Sequence, residues 1–159
     1  MNKTIHTQVK IYGYLTGETS FQDVFARACS DIPGFADSFE AEVMAPLVAV
    51  QQDPNQAGHL QILGLADRVD TAGLSREDIR QQEFQASQDR ASTASDAVFT
   101  MLNDRVGGQL GSDWGSVANI AEISQGIGAC TLAQSDANLS EDQRQQNRRV
   151  TFQFVQFTP

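Results

Sequence analysis

The sequence predicts an α+β fold in the element order β-α-β-α-β-β, with a mixed four-stranded sheet and helices packed on one face. Short runs rich in Val, Ile, Leu and Phe alternate with longer stretches whose apolar residues recur at helical spacing. Apolar residues make up 40% of the 159 positions, which is enough to bury one core. We therefore expect a single domain over residues 1–159.

The first half of the chain predicts one strand followed by two helical stretches. Residues 8–16 are rich in β-branched and aromatic side chains and predict a strand that Gly17 ends. Ser20 is expected to cap the first helix, because its hydroxyl can accept a bond from an unpaired backbone N–H. Residues 35–50 continue one apolar stripe, and Pro46 is expected to bend that helix because it lacks a backbone donor.

A long helix dominates the second half of the predicted fold. Residues 59–66 form a short apolar run between turn signals, which favours a buried strand. Residues 75–106 contain no Gly or Pro and carry apolar residues along one face of their second half, and Gly107 and Gly108 end this helix.

Two further strands complete the predicted sheet. Residues 118–125 predict the third strand, and residues 135–146 are interpreted as a polar loop. Residues 150–157 alternate between apolar and polar side chains, which is typical of a strand with one buried face.

The charge balance excludes some classes of partner. Twenty acidic residues against 11 basic ones give a net charge of −9, so a nucleic-acid backbone would be repelled. No apolar run approaches the roughly 18 residues that a membrane-spanning helix needs. The N-terminus lacks the pattern of a signal peptide. We expect a cytoplasmic protein if the chain is complete, and a periplasmic or cell-envelope domain if it is a mature or excised piece.

The cysteines and histidines give no sign of a metal or cofactor site. Cys29 and Cys130 lie far apart in sequence, and we interpret them as buried thiols, with a disulfide as the alternative in an exported chain. His6 and His59 stand apart from other ligand-type residues. No cofactor and no metal are expected.

Three polar groups stand out against the predicted scaffold. Asp67 and Arg68 directly follow the second strand, Arg90 lies early in the apolar half of the long helix, and residues 147–149 (NRR) precede the last strand. Taken alone, Asp67 is expected to cap a turn or pair with Arg68 at the surface. Arg90 taken alone is one more solvated helix charge.

The order of four fragments resembles the OmpA-like peptidoglycan-binding domain family. The resemblance covers roughly residues 60–157, while residues 1–59 fit only the topology of that family. The matching fragments are GLADRVD (64–70), SQDRASTASDAVFTML (87–102), SQGIG (124–128) and NRRVTFQF (147–154).

The resemblance implies a ligand, the peptidoglycan stem peptide and chiefly its diaminopimelate residue. Asp67 matches the family's aspartate for the ligand ammonium, and Arg90 matches its arginine for the ligand carboxylate. Arg148 matches an arginine close to the pocket, and Ala66 and Ser87 complete the expected binding set. The chemistry is sound, because a zwitterion needs a fixed anion near a fixed cation and arginine pairs bidentately with carboxylates.

The sequence also departs from the family pattern. Ala66 replaces a threonine, Asp70 replaces a glycine, Glu83 replaces an asparagine, and the interval from Asp67 to Arg90 is longer. We expect non-catalytic binding of the stem peptide that anchors a carrier protein or complex to the cell wall. The alternative is an OmpA-like fold that serves as a protein–protein interaction module and has lost the ligand.

An enzymatic function is not expected. Asp67 and Asp70 are spaced so that their carboxyl groups would couple if both were buried, as general acid–base chemistry requires. They are predicted to lie in a polar turn beside Arg68, which does not favour that chemistry.

Overall fold

A computed structural model describes residues 1–69, 72–130, 132 and 138–159 and shows an α+β fold with one mixed sheet. The five strands are β1 (Asn2–Ile5), β2 (Val9–Tyr12), β3 (Ala57–Leu65), β4 (Ile120–Gly126) and β5 (Arg149–Thr158). The α-helices are α1 (Phe21–Asp31), α2 (Phe35–Phe39), α3 (Ala45–Gln52), α4 (Arg76–Arg105) and α5 (Glu141–Asn147). The predicted fold class is confirmed.

The sheet has five strands rather than the predicted four, but they occupy only four positions across it. The order is β1-β5-β3-β4, and β2 pairs with β5 next to β1. The β3–β4 pair is parallel and the other pairs are antiparallel. Between β1 and β2, residues 6–8 lie opposite residues 153–154, which is the two-against-three count of a β-bulge. The bulge divides this edge of the sheet into two short strands.

The predicted end of the first strand is wrong. The strand ends at Tyr12 rather than continuing to residue 16, because Gly13 adopts a φ of 102°, which turns the chain. The Tyr14 side chain then turns inward and is fully buried.

One face of the sheet carries the core. Along the central strands, Leu60 and Ile62 of β3 lie opposite Phe154 and Phe152 of β5, and all four side chains are fully buried. The residues between them, such as Gln61, are only half-buried. This period of two is the alternation that the sequence predicted for β5. The helices pack on the buried face.

The first helical layer follows the sequence prediction closely. Ser20 caps α1, and its Oγ accepts a hydrogen bond from the Asp23 amide at 3.4 Å. The expected irregularity near Pro46 appears as a π-helical segment, Glu40–Met44, that joins α2 to α3. Proline lacks a backbone N–H donor, and its ring needs more space than a regular helix leaves. The wider turn of a π-helix accommodates both effects.

Two glycines allow α4 to lie very close to the sheet. A Cβ on Gly64 would lie 1.9 Å from the Ser87 carbonyl oxygen, and one on Gly126 would lie 2.3 Å from the Gln88 amide nitrogen. Any side chain at these positions would force the helix away from β3 and β4. The 30-residue helix begins after Ser75, which caps it, and this contact fixes how far Arg90 stands from the end of β3.

Two further predictions from sequence are wrong. Much of the expected polar loop 135–146 is helical, because Ser140 and Gln143 form a reciprocal capping box that starts α5. Cys29 and Cys130 are exposed free thiols and are neither buried nor joined in a disulfide. In the part of the chain that is described, no helix is long and apolar enough to cross a membrane.

Candidate functional site

A cavity of about 560 Å³ lies beyond the end of β3, between α4 and α5. Four of the five residues predicted to bind ligand line it: Ala66, Asp67, Arg90 and Arg148. We call it the polar cavity. Its other walls come from Thr16, Gly17, Arg68, Val69, Gln82, Glu83, Ala86, Glu141 and Arg144.

Asp67 is buried and held by two neighbours on α5. Only 6% of the residue is exposed. Its Oδ2 accepts a hydrogen bond from Arg144 Nη1 at 2.8 Å, and its Oδ1 accepts one from Asn147 Nδ2 at 2.9 Å. Arg148 Nη2 lies 3.8 Å from Oδ2. The surface pairing of Asp67 with Arg68 is therefore not what the structure shows, since its ion-pair partners are Arg144 and Arg148.

Arg90 is a buried cation that bonds to backbone oxygens. Only 3% of the residue is exposed. Nε donates to the Glu18 carbonyl at 3.2 Å and Nη1 donates to the Leu65 carbonyl at 2.9 Å, while the guanidinium carbon lies 5.1 Å from the centre of the Tyr14 ring. Burial lowers the pKa of the Arg90 guanidinium to about 10, so the group is charged at neutral pH.

The Arg90 guanidinium retains hydrogen-bonding capacity. Nη2 makes no hydrogen bond to any residue within the described ranges, and no carboxylate there forms an ion pair with the group. The view of Arg90 as one more solvated helix charge is wrong. A buried guanidinium without a carboxylate partner at the wall of a cavity is suited to bind an anion.

Arg148 connects the α5 side of the cavity to the rest of the protein. Nη1 donates to Glu141 Oε1 at 2.5 Å and to the Tyr14 carbonyl at 3.4 Å. The bond from Arg148 also lowers the pKa of the Glu141 carboxyl. Arg148 thus fixes two acidic groups of the wall, Asp67 and Glu141.

The structure places Ser87 away from the polar cavity. The residue is fully buried, and its hydroxyl donates to the Phe84 carbonyl at 2.7 Å and accepts from the Gly128 amide at 2.8 Å. It therefore joins α4 to the segment after β4. Of the two acidic replacements, Glu83 lines the cavity and accepts a bond from the Val69 amide at 3.1 Å, and Asp70 lies outside the described residues.

Sequence reasoning missed Arg144, and it singled out Asn147 only as part of the NRR motif, yet both side chains hold Asp67. Both belong to α5, although the sequence predicted a loop up to residue 146 and placed Asn147 at the start of the last strand. The signal was present in the Ser140–Gln143 spacing, because a serine followed three positions later by glutamine marks a helix start. A helix there places Arg144, Asn147 and Arg148 within one turn on neighbouring faces.

The wall of the polar cavity carries both signs of charge. Arginines at four positions and carboxylates at three line it. Such a wall can hold a zwitterion, with a carboxylate near Arg90 and an ammonium near Asp67. The described residues contain no group of three or more side chains of the types that ligate metals.

No protein-family model and no curated protein matches the chain. Solved structures do resemble it. The peptidoglycan-associated lipoprotein from Burkholderia pseudomallei matches with a TM-score of 0.50 and 15% identity over 92% of this chain and 89% of that chain. The cell wall anchor of the T6SS from Pseudomonas aeruginosa matches with a TM-score of 0.50 and 17% identity over 98% and 83%.

A third similar structure is the OmpA-like domain of FopA1 from Francisella tularensis, with a TM-score of 0.48 and 13% identity over 99% of this chain and 75% of that chain. At these identities the matches speak for the fold. The first two confirm that the chain has the OmpA-like fold that its motifs predicted.

Proposed function

We propose that this OmpA-like domain binds the stem peptide of peptidoglycan and anchors the protein that carries it to the cell wall. The observation that carries the proposal is one cavity lined by a buried Asp67 and by a buried Arg90 that has no carboxylate partner among the described residues. The two similar structures with a TM-score of 0.50 come from a peptidoglycan-associated lipoprotein and a cell wall anchor. Their names support the role and favour the cell envelope over the cytoplasm.

The ligand group is a zwitterionic amino-acid end, as diaminopimelate provides. Arg90 Nη2 receives the carboxylate, while the other two donor positions stay bonded to carbonyl oxygens and hold the guanidinium plane fixed. Each Asp67 oxygen accepts one side-chain bond and keeps further acceptor capacity for an ammonium. The free ligand therefore meets both charges already oriented.

Ala66 and Arg148 have supporting roles in this proposal. Ala66 offers a methyl group where the family has a hydroxyl, so the ligand loses one hydrogen-bond partner at the cavity wall. Arg148 is a positioning residue that holds Asp67 and Glu141. The proposed role is binding alone, with no catalytic step.

Cosedimentation with purified cell-wall sacculi tests the proposal. We expect the wild type to sediment with sacculi and to be released by soluble stem peptide. Arg90→Gln should weaken binding about tenfold or more, since a charge-assisted bond is lost. Arg105→Gln, which removes an exposed arginine of the same helix, should bind as the wild type does.

A second variant keeps the test independent of the buried charge. Ala86 lines the polar cavity and is only partly buried on α4, so Ala86→Phe should fill the cavity while the helix remains intact. We expect this variant to lose sacculus binding at unchanged thermal stability. If Arg90→Gln and Ala86→Phe both bind sacculi as strongly as the wild type does, the proposal is contradicted.

A protein-interaction module is the second candidate function. It is favoured by the bonds from Arg144 and Asn147, which already occupy both oxygens of Asp67, and by the absence of the hydroxyl at Ala66. Failure of the wild-type protein to sediment with sacculi would support this second candidate.

A further inference from the structure

A second cavity, of about 880 Å³, lies beside the polar cavity and shares walls with it. Arg68, Val69 and Glu83 line both. A ligand that fills the polar cavity therefore has room to continue into this neighbouring space. We call it the arginine cleft, because three arginines, Arg68, Arg76 and Arg80, line it.

These arginines form an unusual concentration of positive charge in a chain with a net charge of −9. All three are exposed, and none of them has an ion-pair partner in the portion of the chain that is described. Glu83 is the only acidic residue among the described residues of the cleft wall, and one of its oxygens is occupied by the Val69 amide. The cleft thus presents unpaired guanidinium groups to whatever enters it.

The placement of two of these arginines is unfavourable for the helix itself. Arg76 and Arg80 are four positions apart, where like charges repel on a helix surface. Arg76 also lies in the first turn of α4, where the helix dipole disfavours cations. Glu77 and Asp78 satisfy that dipole. Helix stability does not account for the arginines, so their placement points to an external anion.

The cleft also offers apolar surface between its charges. Ile79, Phe84 and Ile127 line it, and 49% of Phe84 is exposed. Short aliphatic side chains of a bound peptide can pack on these groups while its carboxylate meets an arginine. The longer interval between Asp67 and Arg90 creates this wall, because the added residues extend α4 towards Ser75.

We propose that the arginine cleft binds the C-terminal carboxylate of the same stem peptide whose zwitterionic residue occupies the polar cavity. This inference rests on the proposed function. A peptide ends in a carboxylate, and the planar guanidinium group pairs with that geometry through two parallel hydrogen bonds. The cleft thereby distinguishes a stem peptide with a free end from one whose end is covalently blocked.

The test compares a diaminopimelate-containing stem peptide that has a free C-terminus with its C-terminal amide, by calorimetric titration. We expect the wild type to bind the free acid roughly three- to tenfold more tightly, as exposed arginine–carboxylate pairs allow. Arg76→Gln combined with Arg80→Gln should abolish that preference and leave the affinity for the amide unchanged. Lys3→Gln with Lys10→Gln removes the same charge from β1 and β2 and should retain the preference.

A second readout locates the bound end. Cys130 lines the cleft and is exposed, whereas Cys29 is exposed on α1. The free-acid peptide should slow alkylation of Cys130 more than the amide does, with Cys29 labelled at an unchanged rate.

Three results would overturn the inference: equal affinity of the wild type for both peptides, a preserved preference in the Arg76/Arg80 double variant, or an equal loss in the Lys3/Lys10 double variant. Each of them leaves the proposed function intact, because binding itself is retained. Absence of binding of either peptide to the wild type would instead overturn the proposed function and the inference together.

Discussion

Two regions of the protein are buried to a similar degree but are held together by different forces. Around Phe39, aromatic side chains from α1, α2 and β5 pack edge to face, with ring centres 5.0 Å apart for Phe25 and Phe39 and 5.3 Å for Phe39 and Phe152. Around Asp67, charged side chains from the segment that follows β3, from α4 and from α5 surround an open cavity. Asp67 and Arg90 are 6% and 3% exposed, and Phe39 is 2% exposed.

The two regions differ in what their side chains contribute, since one stabilises the fold and the other keeps groups that can bind a ligand. Phe25, Phe39 and Phe152 belong to what we call the aromatic cluster. Burying its apolar area away from water stabilises the fold, and its tightly packed rings have no hydrogen-bonding groups for a ligand. The charges around Asp67 must be desolvated, and their mutual bonds only partly repay that cost. The polar cavity therefore contributes little net free energy to folding, and its hydrogen-bonding groups remain available to a ligand.

The largest expected effect is in the aromatic cluster. Phe152→Ala removes a fully buried ring that contacts Phe21 and Phe39, so the free energy of unfolding should fall by about 3–5 kcal/mol. Urea denaturation measures this change. Phe84→Ala is the control, because Phe84 is 49% exposed and its loss should cost less than about 1 kcal/mol. Similar losses of unfolding free energy in the two variants would contradict the prediction that the buried ring contributes more than the exposed one.

An intermediate effect is expected at Asp67. Asp67→Asn removes the buried carboxylate that forms ion pairs with Arg144 and Arg148, and we expect a loss of about 2–4 kcal/mol in the free energy of unfolding. Asp89→Asn alters an exposed bond to Gln85 and should change stability by less than about 1 kcal/mol. An Asp67→Asn variant as stable as the wild type would contradict the assignment of Asp67 as the buried counter-charge of these arginines.

The smallest expected effect on stability concerns the ion pair between Arg27 and Glu18, the residue whose carbonyl oxygen accepts a bond from Arg90. Arg27 donates to Glu18 Oε1 at 2.9 Å, and this bond lowers the pKa of the Glu18 carboxyl below its ordinary value of 4.5. A carboxyl with a lowered pKa in the folded state stabilises the protein above its unfolded pKa, and that contribution is lost as the pH falls through the folded value.

Glu18→Gln should therefore lower stability by less than about 1 kcal/mol at pH 7 and should make no difference at a pH well below 4.5. Thermal melting of both proteins across the acid range measures this. A stability difference that persists unchanged in strong acid would contradict the assignment.

The aromatic cluster was predictable from sequence, and the polar cavity was predictable only in part. Helical spacing placed Phe21, Phe35 and Phe39 on buried faces, and alternation did the same for β5. Such patterns follow from one element at a time. Asp67 and Arg90 entered through a family resemblance, since nothing in the local sequence indicates that a charge will be buried.

Features that depend on contacts between elements were missed. The short strand β1 has no buried residue, so it lacks the apolar signal that identifies strands. The helix α5 is almost entirely polar, and its buried Asn147 faces Asp67 rather than an apolar core. Ser87 matched a family motif, yet the glycines at 64 and 126 bring its helix so close to the sheet that its hydroxyl is consumed by backbone bonds.

The most direct test of the central claim is a titration that changes one carboxylate of the ligand. A stem peptide with diaminopimelate and the same peptide with lysine differ at the position that Arg90 is proposed to bind. We expect the diaminopimelate peptide to bind the wild type at least about tenfold more tightly, and Arg90→Gln to remove that difference. Equal affinity of the wild type for the two peptides would contradict the claim that the polar cavity holds a zwitterion.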